Sequence, residues 1–331
     1  MKKMKRNLRF YFALMFARGT ALVLKLIGRK GTSMPGSWAI ILCPDFIGRM
    51  PKPKKIIGIT GTNGKTTVSN MIEDVLEDNG IEFMCNRSGT NVATGVASTL
   101  IANSHFFGKP KCDLAVFELD ERSAPNIYPY MQPDIVLCTN IFRDSYKRNA
   151  HAEFILDILN KEIPKGTKLV LNGDDPLCSS IKPENDRVYF GIDHLDTDKK
   201  ECDNIVNDVP ACPKCHGPLV HDIVRYHHIG RVHCEACGYR SPDIDYLATD
   251  IDTKDMKMNV TVGGKKSEYP LLNSTNINIY NALAAIATLR EFGLSEEKIR
   301  NSMEKMGISE TRYSEKEVLS LIHISEPTRR S

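Results

Sequence analysis

Five short apolar runs alternate with helical patterns between residue 54 and about residue 195. The runs are IIGIT (56–60), DLAVFEL (113–119), DIVLCTN (134–140), KLVLNG (168–173) and RVYFG (187–191). Short runs rich in β-branched residues are typical of strands buried on both faces. Their alternation with helices predicts an α/β fold, a doubly wound and mostly parallel sheet.

The pattern changes on both sides of this region. Residues 1–53 read as an N-terminal basic helix and segment, and 54–310 as the main domain. Residues 196–245 are a polar insertion into that domain, and 246–275 predict strands with a turn at Gly263-Gly264. Residues 278–307 predict two helices separated by Gly293.

The N-terminal segment is apolar and basic. Residues 1–30 contain nine basic residues and no acidic one, around the run FYFALMFARGTALVLKLIG at 10–28. Arg18 and Lys25 interrupt this run, so it offers no uncharged stretch long enough to span a bilayer. Two interpretations stay open: a helix lying on an anionic membrane surface, or a helix packed on its own protein with a solvated basic face.

Composition narrows the class of protein. The chain has 331 residues, 44 Lys and Arg, 41 Asp and Glu, and 41% hydrophobic residues. These values exclude global disorder and a protein with many membrane spans. A net charge of +3 does not point to nucleic acid as a partner. Ten cysteines in a chain of this length do not form a dense disulfide scaffold, so we expect a reducing, cytoplasmic compartment.

The strongest chemical signal follows the first apolar run. IIGIT leads into a glycine-rich turn and then into a helical pattern, which is the context of a phosphate-binding P-loop. Backbone N–H groups of the turn would bind phosphate oxygens, Lys65 would reach the β/γ-phosphates, and Thr66 would ligate Mg²⁺. Ile59 stands where the consensus has its first glycine, and a ligand-free turn is the alternative. The predicted nucleotide-binding residues are Gly61, Thr62, Asn63, Gly64, Lys65, Thr66 and Thr67.

The polar insertion carries a second signal, the spacing C-x₂-C-x₁₈-C-x₂-C. Two such cysteine pairs place four thiolates at the corners of a tetrahedron, which leaves no open position and favours a structural Zn²⁺. Gly217 and Gly238 are expected to form the tight turns after each pair. Reduced cysteines, a disulfide, or a nearby histidine replacing one ligand are the alternatives. The predicted zinc ligands are Cys212, Cys215, Cys234 and Cys237.

Five segments, in order, resemble motifs of the Mur ligase family. They are GITGTNGKTT (58–67), DLAVFELDE (113–121), TNIFRD (139–144), NGDDP (172–176) and NIYNALAAI (278–286). Together with the four-cysteine insertion they resemble one branch of that family, and the similarity covers roughly residues 30–312. In that branch a ligase subunit uses ATP to amidate the D-Glu α-carboxylate of the lipid II stem peptide to D-isoglutamine.

The resemblance also implies partners and site residues. The reaction passes through an acyl-phosphate, and ammonia comes from a GatD-like glutamine amidotransferase in a heterodimer. Glu118, or else Glu121, would join Thr66 on Mg²⁺, and Asn278 and Asn281 would lie near the adenine. Capping of a helix by Asn278 is the alternative for that residue, and a turn or cap role competes with a nucleotide role for the two aspartates of NGDDP. Since lipid II is a membrane lipid, the chain would work in the cytoplasm, peripheral to the inner face of the membrane.

The end of the chain departs from the family. Residues 313–331 match no family segment and resemble a translated adaptor, so we expect a non-native tail and the absence of the C-terminal ligase domain. The catalytic Asp expected from the resemblance would lie in that domain. Two other functions therefore remain open: a Mur-type amino acid ligase, and a non-catalytic nucleotide- and zinc-binding scaffold.

Overall fold

The computed structural model describes residues 4–29, 32–87, 90–143, 152–201, 209 and 211–308, which form a large sheet with helices on both faces. The strands are β1 Lys55–Thr60, β2 Phe83–Cys85, β3 Leu114–Glu118, β4 Ile135–Cys138, β5 Lys168–Asn172, β6 Arg187–Ile192, β7 Val220–Tyr226, β8 Ile229–His233, β9 Tyr246–Asp252, β10 Lys257–Val262 and β11 Lys265–Pro270. The helices are α1 Leu8–Leu26, α2 Met34–Leu42, α3 Phe46–Arg49, α4 Lys65–Asp78, α5 Ala93–Ala102, α6 Ala124–Ile127, α7 Ala152–Glu162, α8 Pro176–Ser179, α9 Asn276–Phe292 and α10 Glu296–Ile308. The proposed tail at 313–331 and Asp144 of the TNIFRD segment lie outside the described residues.

The sheet is mostly parallel, as the apolar runs predict. Its order is β2-β3-β1-β4-β5-β6-β9-β10-β11, and the first seven of these strands run parallel. The last three form an antiparallel meander, with Gly263-Gly264 at the predicted turn between β10 and β11. Strand β1 lies between β3 and β4, where the chain connections diverge to opposite sides of the sheet. Doubly wound sheets bind ligands at the carboxyl ends of strands at this point.

Two hydrophobic cores cover the two faces of the sheet. Successive side chains of a strand point to opposite faces, so both faces of the β-branched central strands are buried. In β4, Val136 and Cys138 enter the core with α1, α2, α5 and α7, whereas Ile135 and Leu137 enter the core with α4, α9 and α10.

Helix α4 directly follows β1 and lies in the second core. It buries one side at helical spacing and ends before Gly80, whose φ of +68° confirms it as the predicted stop. Its last residue, Asp78, accepts a hydrogen bond from Ser302 Oγ at 2.7 Å and pairs with Lys305 at 2.7 Å. The last described helix, α10, is therefore joined to the far end of α4.

Helix α1 packs on the protein itself, which confirms one of the two interpretations of the N-terminal segment. Phe10, Ala13, Leu14 and Ala17 are fully buried against the neighbouring helices. The expectation that its outer face is simply basic is wrong, because large apolar residues such as Phe12 also project into solvent. Within the described ranges, the helices are too short or too polar to cross a bilayer.

The polar insertion separates two strands that are neighbours in the sheet. Phe190 of β6 pairs with Tyr246 of β9, and between them the chain makes the two-stranded antiparallel sheet β7–β8. The four cysteines lie on both sides of this hairpin, so the insertion is a compact unit attached to the main sheet.

Candidate active site

The turn between β1 and α4 has the backbone of a loop that only glycine can form. Gly61 has φ +119° and Gly64 has φ +81°, values that side chains disfavour. A Cβ on Gly61 would lie 2.2 Å from Thr139 Oγ1, and one on Gly64 would lie 2.3 Å from Asn281 Oδ1. Gly58, in contrast, belongs to β1, where a Cβ would lie 3.1 Å from the Leu119 side chain. The sequence departs from the consensus in having its first glycine at position 58 instead of 59. That glycine therefore lies in strand β1, outside the turn, and packs against Leu119.

The segment after β4 holds this loop (residues 61–67) in place. Thr62 N donates to Asn140 O at 2.8 Å and Asn63 N to Asn140 Oδ1 at 2.9 Å. Thr139 Oγ1 donates to Asn63 O at 2.7 Å. The first N–H groups of α4 have no side-chain cap, because the N-cap residue is Gly64. Such a helix start attracts an anion.

Lys65 lies inside the loop and is held by a buried acid. Its Nζ is 3.2 Å from Glu121 Oε1 and also donates to the carbonyl oxygens of Gly61 and Thr62. The same Glu121 oxygen accepts the Gly61 N–H at 2.8 Å. Burial raises the pKa of Glu121, and the charge of Lys65 opposes that rise. Glu121 therefore fixes both the loop backbone and the lysine.

Thr66 and Glu118 form a separate pair at the edge of the loop. Thr66 Oγ1 donates to Glu118 Oε2 at 3.0 Å. Asn86 orients the Glu118 backbone through two hydrogen bonds, of 2.8 and 2.9 Å, and Asn91 Nδ2 lies 3.5 Å from Glu118 Oε1. A hydroxyl and a carboxylate brought together in this way are hard oxygen donors of the kind that Mg²⁺ prefers. Thr67, the last predicted residue of the loop, lies half-buried in the first turn of α4.

Asn278 and Asn281 are buried at the start of α9, beside the loop. Asn281 Nδ2 donates to Asn278 Oδ1 at 3.2 Å, and Asn278 Nδ2 donates to Thr275 Oγ1 at 3.0 Å. The helix N-cap is Thr275, and Asn278, three residues further on, contacts the side chain of that N-cap residue. The close approach of Asn281 to Gly64 brings this helix to the loop.

The two aspartates of NGDDP have different structural roles. Asp175 caps α8 through the N–H groups of Leu177 and Cys178, which confirms the cap interpretation for that residue. Asp174 is fully buried and accepts hydrogen bonds from Arg225 Nη1 and Tyr280 OH, both at 2.7 Å.

Arg225 belongs to this buried cluster although it is part of no sequence motif. It lies in β7 of the insertion and also pairs with Asp198 at 2.9 Å, with both of those side chains almost wholly buried. No local pattern marks this arginine, since its partners lie 27 and 51 residues away.

The four cysteines of the insertion come together as predicted. Their sulfur atoms all lie within 4.8 Å of one another, and the Cys212–Cys237 and Cys215–Cys234 Sγ distances are both 3.6 Å. A disulfide would need about 2.05 Å between sulfurs. Zn–S bonds of about 2.3 Å give a tetrahedron with edges of roughly 3.8 Å, so these thiols fit a zinc ion.

The turns after the cysteine pairs are only partly as expected. Gly238 has φ +69° and its N–H donates to Cys234 O at 2.9 Å. In the first pair the left-handed residue is His216, with φ +58°, and its N–H donates to Cys212 O at 2.9 Å. The expectation for Gly217 is therefore wrong, although its N–H donates to Cys215 Sγ at 3.4 Å.

Comparison with known proteins first identifies the class of protein to which this chain belongs. A family model, the Mur ligase middle domain, matches residues 59–208. The structure of a pseudomurein peptide ligase type C from Methanothermus fervidus superposes with a TM-score of 0.63 and 26% identity, over 79% of this chain and 51% of that one. MurF from Acinetobacter baumannii shares the fold at 17% identity, with a TM-score of 0.53 over 80% of this chain and 49% of that one. The mostly parallel sheet is thus that of a Mur ligase-like protein.

Two curated relatives identify the branch of this class to which the chain belongs. The MurT subunit of lipid II isoglutaminyl synthase (glutamine-hydrolyzing) from Streptococcus pneumoniae strain R6 is 33% identical over 97% of this chain and 72% of that protein. The MurT subunit from Staphylococcus aureus strain COL is also 33% identical, over 90% of this chain and 66% of that protein. The chain therefore belongs to the Mur ligase family, in the branch of the MurT subunits. It spans about two thirds of the length of these relatives.

Proposed function

We propose that this chain is the ATP-dependent ligase subunit that converts the D-Glu α-carboxylate of the lipid II stem peptide to the D-isoglutamine amide in peptidoglycan synthesis. The observation that carries the proposal is the 33% identity to MurT subunits over almost the whole chain. The loop at 61–67, with its two obligatory glycines and its partly buried lysine, supports the ATP dependence. The partner would be a GatD-like glutamine amidotransferase that supplies ammonia, and the complex would work in the cytoplasm at the inner face of the membrane.

The chemistry needs activation because a carboxylate at neutral pH has no leaving group. A carboxylate oxygen attacks the γ-phosphorus of ATP, ADP leaves, and an acyl-phosphate forms. Ammonia then attacks the acyl carbon, phosphate leaves, and the nitrogen loses a proton to give the amide. Such catalysis depends mainly on positioning and on neutralising charge.

Each part of the site has a proposed role in the first step. The helix start of α4 and Lys65 would bind the phosphates, with Lys65 exchanging its carbonyl and Glu121 contacts for phosphate oxygens. Thr66 and Glu118 would hold Mg²⁺, which neutralises phosphate charge when bound. Asn278 and Asn281 would lie beside the adenine.

The four cysteines would hold a structural Zn²⁺, making residues 196–245 a zinc-ribbon insertion in an ATP-binding domain at 54–310. The sulfur distances support this assignment, and four thiolates leave no coordination position for catalysis.

The proposal is tested by reconstitution with the partner. The full-length protein, with the region that corresponds to the remaining third of its relatives, and a GatD-like subunit are supplied with ATP, Mg²⁺, glutamine and lipid II, and amidated lipid II is measured by mass spectrometry. We expect amide formation that depends on Lys65 and that ammonium chloride supports in place of glutamine. The Lys65→Ala variant is the matched control and should bind ATP at least about tenfold more weakly.

Three outcomes would contradict the proposal. Product formed with an amino acid but not with ammonia would assign a Mur-type amino acid ligase. ATP binding without any product, with an active partner present, would assign a nucleotide-binding scaffold. Equal ATP affinity of the original chain and Lys65→Ala would contradict the assignment of the loop at 61–67 as the ATP-binding site.

A further inference from the structure

Helix α1 is apolar on two opposite sides. One side, with Phe10, Leu14 and Ala17, is buried in the core. The other side carries a row of large apolar residues at steps of three, four or seven positions, which places them on one helical face. We call this row, with the tryptophan that extends it, the outer apolar stripe: Leu8, Phe12, Phe16, Val23, Leu26 and Trp38.

The outer apolar stripe is strongly exposed. Leu8 is 88% exposed, Leu26 78% and Phe12 62%. The ring centroids of Phe12 and Phe16 lie 6.3 Å apart, and those of Phe16 and Trp38 lie 5.6 Å apart, so α2 extends the surface. Because the opposite side of α1 already packs the helix on the protein, folding does not require this second apolar side. Contiguous exposed apolar surface of this kind marks an interaction site.

The positive charge of the residues around the stripe indicates an anionic partner. Residues 1–44 contain no acidic residue, and the first one, Asp45, pairs with Arg49. Lys5 and Arg6 stand before α1, and Lys25 and Arg29 stand at its end, all exposed. Across the described ranges, none of these four forms an ion pair with an acidic side chain. A second copy of the chain would bring the same positive charge, whereas an anionic surface would neutralise it.

We propose that the outer apolar stripe lies in the headgroup layer of a bilayer that contains anionic phospholipid, with α1 parallel to the membrane plane. Amphipathic surfaces bind in this way when apolar side chains enter the boundary of the acyl chains and basic residues stay among the headgroups. Trp38 and the phenylalanines have the amphipathic or aromatic character favoured at that depth.

The inference deepens the proposed function, because that function requires a membrane lipid as substrate. The stripe is also connected to the candidate site through α2 and α5. Gly36 N of α2 donates to Ser98 Oγ of α5 at 2.8 Å. Helix α5 begins two residues after Asn91, which contacts Glu118.

The test is vesicle co-sedimentation without nucleotide or lipid II, so its result does not depend on the ligase activity. The zinc-loaded chain is mixed with vesicles of phosphatidylcholine alone or with about one third phosphatidylglycerol. We expect binding to the anionic vesicles and at least tenfold weaker binding to the neutral ones. The Phe12→Ser/Leu26→Ser variant should lose at least about tenfold in vesicle affinity, since two exposed apolar side chains no longer enter the lipid.

A second variant and two controls separate the causes. Lys25→Gln/Arg29→Gln should lower affinity for anionic vesicles by about fivefold for each charge and leave binding to neutral vesicles unchanged. Phe154→Ser, which removes an equally exposed phenylalanine from α7, should bind like the original chain. All variants should keep the circular dichroism spectrum and ATP affinity of the original chain.

Two results would overturn the inference. One is a folded chain that stays in the supernatant with every vesicle composition. The other is a concentration-dependent dimer in analytical ultracentrifugation that Phe12→Ser/Leu26→Ser abolishes, because the stripe would then be an interface between two copies.

Discussion

Glu118 and Glu121 are three residues apart in sequence, yet their side chains have different environments. Glu118 ends β3 beside Thr66 at the half-exposed rim of the loop. Glu121 follows in a short 3₁₀ turn and is buried against the Gly61 N–H and Lys65. These positions favour Glu118 as the Mg²⁺ ligand and give Glu121 the role of ordering the loop.

Isosteric substitutions test this difference. Glu118→Gln removes the charge next to Thr66, so we expect at least about a tenfold rise in the Mg²⁺ concentration needed for ATP binding, measured by calorimetry. Glu121→Gln keeps an oxygen that can accept from Gly61 and should leave the Mg²⁺ requirement unchanged. The opposite pattern would assign the metal to Glu121.

The sequence predicts the loop residues but not this choice between acids. Strand, glycine turn, lysine and helix follow one another directly, so Gly61 to Thr67 can be assigned from local pattern. Burial of Glu121 depends on how β1 and β3 pair, and the partners of Arg225 lie far along the chain. Such long-range contacts leave no periodic signal.

At the scale of elements, the insertion is joined to the sheet by buried charge. Arg225 of β7 contacts Asp174, beyond the end of β5, and Asp198, and the tip of the hairpin reaches Asp175 through His228 Nε2 at 3.4 Å. Phe142, near the loop at 61–67, stacks on Tyr226 with ring centroids 6.2 Å apart. The hairpin therefore lies between the four cysteines at one end and the segment beside the candidate loop at the other.

Removal of the metal should therefore affect more than the insertion. With a chelator, or in Cys212→Ser/Cys215→Ser, we expect loss of about one zinc per chain and of most of the zinc-dependent stability. Because an unfolded hairpin would release Arg225 from two buried aspartates, the chain should also lose about 3 kcal/mol or more in free energy of unfolding. Metal analysis and urea denaturation measure the two effects.

Cys112→Ser is the matched control, since this half-buried cysteine lies outside the cluster. It should keep both the zinc and the stability. A chain that folds with full stability and binds well under one zinc would contradict the assignment.

The sequence predicts the long buried strands but not the short edge strand or the position of the hairpin. The five runs become β1, β3, β4, β5 and β6, because buried parallel strands need continuous apolar side chains. The edge strand β2 has three residues with only Met84 buried, too short for any pattern to mark. The docking of the hairpin also escapes prediction, since its contacts are polar and distant in sequence.

At the scale of the whole molecule, one sheet connects the two cores. The candidate loop lies against two elements, since a Cβ on Gly61 would meet Thr139 after β4 and one on Gly64 would meet Asn281 of α9. A ligand bound to the loop would hold together the end of β4, the loop and α9, which separate when the chain unfolds.

Ligand binding should thus stabilise the folded chain as a unit. At a free Mg²⁺-ATP concentration about 100 times the Kd, linkage gives about 2.7 kcal/mol, which we expect to raise the Tm by roughly 5 °C. Scanning calorimetry measures the shift, and Lys65→Ala, which binds at least about tenfold more weakly, should show at most about half of it at the same nucleotide concentration. An equal shift in that variant would place the nucleotide elsewhere.

The bonds from Asp78 to Ser302 and Lys305 have a mechanical consequence. They fasten α10 to the end of α4 opposite the loop, and α10 leads directly into residues 309–331. A displacement of α10 would therefore act on the far end of a helix of 14 residues whose first turn belongs to the loop at 61–67.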